Sequence, residues 1–323
     1  MFSMSLVDLS ICIVNWNRRD LLQNLLASLK PARAGLNTEL ILVDNASSDG
    51  SAEMVAADFP DVVLVRNTQN LGFSKANNQA VARARGRLLL FLNNDTIVRP
   101  GTLAQMVKFL DEHPDVVAVG PRLTAGDGQP RDRYMILPTL PVLLDRIRFL
   151  HWTRLFHGSY QRYRRGRFNA EVTQAVGQIP GSAVMVRKDQ FLACGGWDEG
   201  FEFGCEDFDL SARLKEYGLL YYVANAEIVH LGGKSSRANL GFVYRGYECG
   251  CARYLGKHSR LRAAPWIYKA LVTMDMPMRL APLAARYAAS RLKGESERAA
   301  RTLQRLTAAS HFYFRNLVRF WRS

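Results

Sequence analysis

Five short apolar segments, at residues 9–14, 39–43, 62–65, 87–92 and 116–119, alternate with helical stretches at 20–29, 51–58, 72–84 and 101–112. No other feature of the chain narrows its fold so far. Strands separated by helices join through right-handed crossovers, so the alternation predicts an α/β fold with a largely parallel sheet. In such a sheet, ligands bind beyond the carboxyl ends of the strands. The fourth segment, within RLLLFLNNDTIVR from Arg87 to Arg99, is apolar through Leu92 and then breaks into Asn93, Asn94 and Asp95. A carboxylate backed by two amides at that edge suits a divalent cation carrying a diphosphate. The same residues also suit a turn that caps the helix starting near Gly101.

The alternation lapses between residues 122 and 177, a stretch rich in Arg, Tyr and Pro that reads as a basic insertion with short helices near 141–149. It resumes with a strand at 182–186, helices at 188–194 and 207–217, and short strands at 220–223 and 227–229. The first helix is expected to end at Pro31. A chain of 323 residues with 48% hydrophobic and 22% charged residues is globular in composition, which argues against global disorder. Its net charge of +14 is uneven: from Lys257 onward there are 14 Lys and Arg against 3 acids, and between Arg122 and Glu171 there are 10 against 4. The rest of the chain is therefore near neutral. Five cysteines, an odd number without scaffold spacing, point to a reducing compartment, and Cys249 and Cys251 sit too close for a zinc knuckle. The first ten residues, MFSMSLVDLS, lack a signal-peptide pattern, and no apolar run reaches about 18 residues, so a cytoplasmic protein is expected. Where a dinucleotide fold needs glycines after its first strand, this chain reads VNWNRRDLL, and no Walker-type phosphate loop occurs.

Polar residues cluster where the strands should end. Asp44 follows the second strand in VDNASSDG, where its carboxylate can accept the imide N3–H of uracil or thymine. An Asx turn accounts for Ser47 to Gly50 and leaves Asp44 free. After the third strand, NTQNLGFSKANN supplies Gly72, which permits close backbone approach and opens a helix toward bound phosphate or ribose. An ordinary loop and cap would use the same residues.

Taken in order, VNWN, VDNASSDGS, NLGFSKANN and LFLNNDT resemble the nucleotide-sugar half of the family 2 inverting glycosyltransferases, which have the GT-A Rossmann-like fold. GSAVMVR, GGWDEGFEFGCEDFDLSARLKEYG and YVANAEIVHLGG are similar to the second half, so the resemblance runs from Leu9 to Lys234, about seven-tenths of the chain. Within the family it lies nearest the bacterial rhamnosyltransferase-like branch of cell-envelope polysaccharide assembly. The resemblance implies a division into a nucleotide-sugar half (1–121), a basic insertion (122–177), an acceptor and catalytic half (178–256) and a basic helical extension (257–323). By position it implies that Asn15 and Asp44 contact the base, and that Asn70, Gly72 and Asn77 line ribose and diphosphate. Asn94 falls in the same donor-binding set. Asp95 is the implied metal ligand, with Asn93 standing where many members carry a second Asp, and Mg²⁺ and Mn²⁺ are not distinguished.

Glu206 and Asp207 open a helix whose dipole stabilises carboxylates in its first turn, but these two with Asp209 exceed what capping needs. In the family pattern Asp207 is the catalytic base, with Glu206 beside it. His230, which alone reads as structural, completes the metal site in that pattern. Asp198 and Glu199 would shape the acceptor loop, and Trp197 is either core or a sugar-stacking surface. The stretch from Arg122 to Arg167, with Tyr134, Tyr160 and Tyr163, would either clamp an anionic acceptor or form a solvated loop.

On a helical wheel Arg301, Arg305, Arg315, Arg319 and Arg322 share one arc, opposite Leu303, Leu306, Tyr313, Phe314, Leu317, Phe320 and Trp321, with Phe312 as the exception. Two readings fit: an interfacial helix on anionic lipid, or a helix packed on the enzyme with a solvated basic face. No nucleic-acid motif accompanies the charge. The expected protein is a metal-dependent inverting glycosyltransferase, peripheral on the inner face of the plasma membrane. It moves a sugar such as rhamnose from a dTDP or UDP donor, rather than GDP, to a saccharide or polyprenyl-linked acceptor. A non-catalytic nucleotide-sugar or anionic-lipid binding protein of the same fold is the alternative, and a nucleotide-sugar hydrolase a third possibility.

Overall fold

Alternate residues of the first strand, β1 (Leu9–Asn15), enter two different cores: Leu9, Ile11 and Ile13 one, and Cys12 the other. All four are fully buried, because helices cover both faces of the sheet. The computed structural model describes residues 7–130, 136–164, 168–232 and 240–323. Two compact units divide the chain. The first is built from Met1–Leu137, Arg167–Gly200 and Glu206–Gly232, and the second from Pro138–Gly166, Phe201–Cys205 and Gly233–Ser323.

In the first unit, β1 is followed by α1 (Arg19–Ala32), β2 (Thr38–Asp44), α2 (Ser51–Asp58), β3 (Val62–Arg66), α3 (Phe73–Val81), β4 (Leu88–Asn93), β5 (Thr96–Val98), α4 (Thr102–Glu112) and β6 (Val116–Thr124). After the stretch assigned to the second unit come β7 (Gln174–Ala175), β8 (Ala183–Arg187), α8 (Lys188–Ala193), α9 (Glu206–Leu214) and β9 (Leu219–His230). The strand order is β3-β2-β1-β4-β8-β6-β9-β5, with β7 against β9. Pairing is parallel from β3 through β4 and mixed beyond it, because β8 runs antiparallel to both β4 and β6.

Three local features differ from the expectations. Helix α1 carries on through Pro31 to Ala32, since a proline in the last turn forfeits a single hydrogen bond, and the Arg33 N–H still reaches the Leu29 carbonyl at 3.1 Å. The two short strands expected at 220–223 and 227–229 are one strand, β9, whose register against β6 shifts between Pro121 and Arg122. Residues 96–98, not expected to be a strand, pair antiparallel with the end of β9.

The second unit is helical: α5 (Leu140–Leu144), α6 (Arg148–Thr153), α7 (His157–Arg164), α10 (Leu240–His258), α11 (Ala264–Met274), α12 (Met276–Leu292) and α13 (Ser296–His311) lead to a π-helical turn (Phe312–Asn316) and α14 (Leu317–Arg322). The π turn changes the phase of the tail relative to a straight wheel. Phe312, the exception on that wheel, is 1% exposed, whereas Phe314, placed in its apolar arc, is 70% exposed. Tyr313 and Phe320 are buried, with the Tyr313 hydroxyl donating to the Val272 carbonyl at 3.1 Å. Much of the aromatic arc thus packs within the unit. No described helix is long and apolar enough to cross a membrane. The five cysteines are free thiols.

At the amino ends of the first strands, Ser10 donates to Glu39 at 2.6 Å and accepts the Gly86 N–H at 2.8 Å, while Glu39 also accepts the Arg85 N–H at 2.6 Å. Burial raises the Glu39 carboxyl, but the Ser10 hydroxyl and the Arg85 backbone and guanidinium outweigh it and hold the group below its usual range. The folded value being the lower one, this stability is present above roughly pH 4.3 and is lost as pH falls through the folded value. Melts at decreasing pH should show the gap between wild type and Glu39→Gln closing; a gap independent of pH would contradict that origin. A Cβ on Gly86 would stand 2.6 Å from the Ser10 nitrogen and 2.9 Å from the Leu9 carbonyl carbon, both backbone atoms that have little room to yield. Gly86→Ala should therefore cost about 1–3 kcal/mol, read as a lower urea midpoint, and an unchanged midpoint would refute the contact.

Candidate active site

The register of the parallel strands brings their carboxyl ends to one level: Asn15 lies opposite Asp44, and Val14 opposite Asn93. Asn15 is fully buried there, and its side-chain carbonyl accepts the Asn94 amide at 2.7 Å. One oxygen of Asp44 accepts the Ser47 N–H at 3.0 Å, so the turn after β2 uses half of the carboxylate that sequence reasoning left free. The other, Oδ1, is buried and has no hydrogen-bond partner among the described residues. Leaving a buried carboxylate oxygen unpaired is costly, which makes it a natural acceptor for a ligand donor.

Asn45, which sequence reasoning passed over, ties the second loop to the third. Its amide carbonyl accepts the Leu71 N–H at 2.9 Å and the Asn67 amide at 3.1 Å, and its NH₂ donates to Asn70 at 2.8 Å. Asn70 in turn accepts the Gly72 N–H at 2.9 Å. Gly72 has φ +82°, a conformation that a side chain would strain, and it delivers the chain into α3. Asn77 belongs to the interior of that helix: it is 1% exposed, and its amide donates to the Phe73 carbonyl at 3.0 Å, steadying the first turn.

Asp95 follows β4, and the pairing of β5 with β9 sets Thr96 opposite His230. Asp95 Oδ1 and His230 Nε2 are thereby 3.2 Å apart, with side chains 8% and 14% exposed. A carboxylate and an imidazole converging at low exposure fit a divalent cation as two of its ligands.

Asp207 stands in the first turn of α9, one residue after Glu206. Its Oδ1 accepts the Phe208 N–H at 2.9 Å and its Oδ2 accepts the Gln178 amide at 3.0 Å. A Cβ built on Gly181 would lie 3.5 Å from the Asp207 Cβ and 3.7 Å from the Phe73 ring. One residue on, the Ser182 carbonyl accepts the Asn93 N–H at 3.0 Å. The segment before β8 thus joins the start of α3, the end of β4 and the head of α9. Asp209, the third acid, is fully buried and is engaged by Arg213 at 2.6 Å.

Trp197 is core: it is 1% exposed and meets Phe73 and Phe91 edge-on at 5.1 and 5.2 Å. Glu199 accepts the Asn78 amide at 3.1 Å, and Asp198 accepts the Gly200 N–H at 2.8 Å, which folds the loop that follows α8. Of the residues considered for an acceptor clamp, Arg122 pairs with Glu171 at 2.6 Å and Tyr163 is buried. Tyr134, Arg167, Gly233 and Lys234 lie outside the described residues.

Comparison with known proteins assigns this mixed sheet and its polar edge to a family. The family model "Glycosyl transferase family 2" matches residues 10–187, more than half of the chain. The chain belongs to that family. An N-acetylglucosaminyl-diphospho-decaprenol L-rhamnosyltransferase of Mycobacterium tuberculosis is 28% identical over 236 residues, spanning 69% of this chain and 75% of that protein. The O-antigen biosynthesis protein RfbC of Myxococcus xanthus is 28% identical over 239 residues, 71% of this chain and 18% of its own length. The mannosyltransferase PcManGT from Pyrobaculum calidifontis, solved with GDP-Man and Mn²⁺, shares the GT-A fold with a TM-score of 0.55 at 18% identity, covering 95% of this chain and 87% of that one.

Asn45→Ala removes four side-chain hydrogen bonds, to Asn67, Asn70, Leu71 and Gly72, and leaves the Leu71 N–H without its acceptor, so it should destabilise the protein by about 1–3 kcal/mol in urea unfolding. Stability equal to wild type would show that the loops hold without it.

Proposed function

We propose that this glycosyltransferase moves a sugar with inversion from a nucleoside diphosphate donor to a saccharide or polyprenyl-linked glycan in cell-envelope polysaccharide synthesis. L-Rhamnose is the sugar suggested by the rhamnosyltransferase relative, and dTDP-rhamnose is the donor that the sequence resemblance implies. The observation that carries the reading is the meeting of Phe73, at the start of α3, with Asp207, at the head of α9, across Gly181.

In this reading Asp44 Oδ1 accepts the imide N3–H of uracil or thymine, beside Asn15 and Asn94. Asn70 and Gly72 border ribose and diphosphate, with Asn77 behind them. Asp95 and His230 would hold Mg²⁺ or Mn²⁺, which when bound neutralises charge on the diphosphate. Asp207, with Glu206 alongside, takes the acceptor hydroxyl proton as that oxygen attacks the anomeric carbon. The bond from that carbon to the diphosphate oxygen breaks on the opposite face, and its electron pair leaves with the diphosphate. A single displacement needs one base and no nucleophilic side chain. Gln178 and the Phe208 N–H each occupy one lone pair of Asp207 and fix its plane.

An anionic membrane surface is the further partner in this reading. Its support lies in the basic charge of the second unit together with exposed Trp152, Trp266, Phe314 and Val318.

Donor-dependent thermal stabilisation tests the assignment, with dTDP-, UDP- and GDP-sugars each measured with and without Mn²⁺. A donor at about a hundred times its dissociation constant should add roughly 2.7 kcal/mol. We expect a dTDP- or UDP-sugar to stabilise the wild type in a metal-dependent manner that Asp95→Ala loses. Asp207→Asn should keep donor binding and lose about 10²–10⁴-fold in transfer rate. Unchanged transfer by Asp207→Asn would remove it as the base, and stabilisation by GDP-sugars alone would remove Asp44 as the imide reader.

A further inference from the structure

Asp145, His151 and His157 recur at six-residue intervals through α5 to α7 of the second unit. Their ligand atoms all lie within 4.8 Å of one another. His151 Nδ1 is 3.2 Å and His157 Nδ1 3.7 Å from Asp145 Oδ2. Donors about 2.1 Å from a tetrahedral ion stand roughly 3.4 Å from each other, so these separations already approximate the edges of a coordination shell.

Two buried atoms at the cluster lack the partners that hydrogen bonding alone would provide. Asp145 is 1% exposed, and its Oδ1 has no hydrogen-bond partner among the described residues. His157 Nδ1 is likewise buried without one, since 3.7 Å is too long for a hydrogen bond to Asp145. Arg146, Arg148 and Arg286 line the same cavity, but among the described residues the ion pairs of Asp145 are with His151 and His157 and none is with an arginine. Arg146 stacks on the Tyr247 ring at 4.4 Å, and Arg148 donates to the Met278 carbonyl at 3.2 Å. The Gln161 amide lies 3.0 Å from His157 Nε2. As placed, the Gln161 NH₂ donates to Nε2 and the ring proton sits on Nδ1; turning the amide over presents its oxygen to Nε2–H and leaves the Nδ1 lone pair directed at the cluster, the arrangement that metal binding requires.

We propose that Asp145, His151 and His157 form a binding site for a divalent transition metal of the zinc class, separate from the Asp95 and His230 pair. Two imidazoles and one carboxylate favour such an ion over Mg²⁺ or Ca²⁺. A doubly charged ion also balances a carboxylate that is otherwise buried with an unpaired oxygen. Three protein ligands leave a fourth position. Asp145 and His151 line a cavity of about 390 Å³ that also borders Trp152, Tyr160 and Arg286, so a water or a small anion can complete the shell from that side.

The decisive experiment uses the full chain carrying Asp95→Ala, stripped with EDTA and titrated with ZnCl₂ against a chromogenic chelator. One equivalent should bind, and X-ray absorption of the loaded protein should count two imidazoles on zinc, a number that the Asp95 and His230 pair cannot supply. His157→Ala in the same background should weaken zinc binding at least tenfold and abolish the zinc-dependent rise in Tm, while the metal-free Tm stays near that of its parent. Zinc with fewer than two imidazoles, or an affinity that His157→Ala leaves unchanged, would overturn the site in favour of a metal-free Asp and His hydrogen-bonded cluster. Should His157→Ala fail to fold, the imidazole count decides alone.

Discussion

Parallel pairing of β1 with β2 on one side and β4 on the other is the constraint on which the site depends. Because the three strands run the same way and in step, their apolar stretches are buried together and their polar ends emerge together. Asn15, Asp44 and Asn93 therefore reach one edge, although they end three strands far apart in the chain. Anchoring at the opposite edge matters as much. The Ser10, Glu39 and Gly86 network allows the connection before β4 to pass against the β1 backbone, and so sets how β4 enters the sheet.

The second half of the sheet supplies what the parallel half lacks. β8 enters antiparallel beside β4, and the segment before it reaches residues distant in the chain. Gln178 donates to Asp207, Gly181 lies against Phe73, and the Ser182 carbonyl accepts the Asn93 N–H. The end of β9 meets β5, which brings His230 to Asp95 across 135 residues of chain. A transfer reaction needs donor groups and a base within reach of one atom, and this crossing of a parallel and an antiparallel half is what gathers them.

Much of this is legible in the linear chain. The strand segments of the first half and the polar residues at their ends follow from local burial and periodicity, and Asp44, Asp95 and Asp207 stand out by position. Asn45 and Gln178 do not. Neither sits in a distinctive pattern, and both matter through partners that only folding provides. The three-residue β5 is too short to show a period, and β9 carries Ala224 to Ala226 as a bulge between the Val223–Pro121 and Glu227–Arg122 pairs, which local pattern does not reveal. The tail shows the limit of a straight wheel: one π turn buries Phe312 and exposes Phe314.

By itself, then, the sequence determined an α/β chain of alternating strands and helices, its family motifs and a strongly basic second part, because hydrophobic period, turn chemistry and charge are local properties. Tertiary structure decided which carboxylate oxygens remain available, which histidines meet acids, and which aromatics of the tail are covered. Those outcomes depend on register, on the direction of each strand and on helix phase, and each is set by contacts between residues that the linear order keeps far apart.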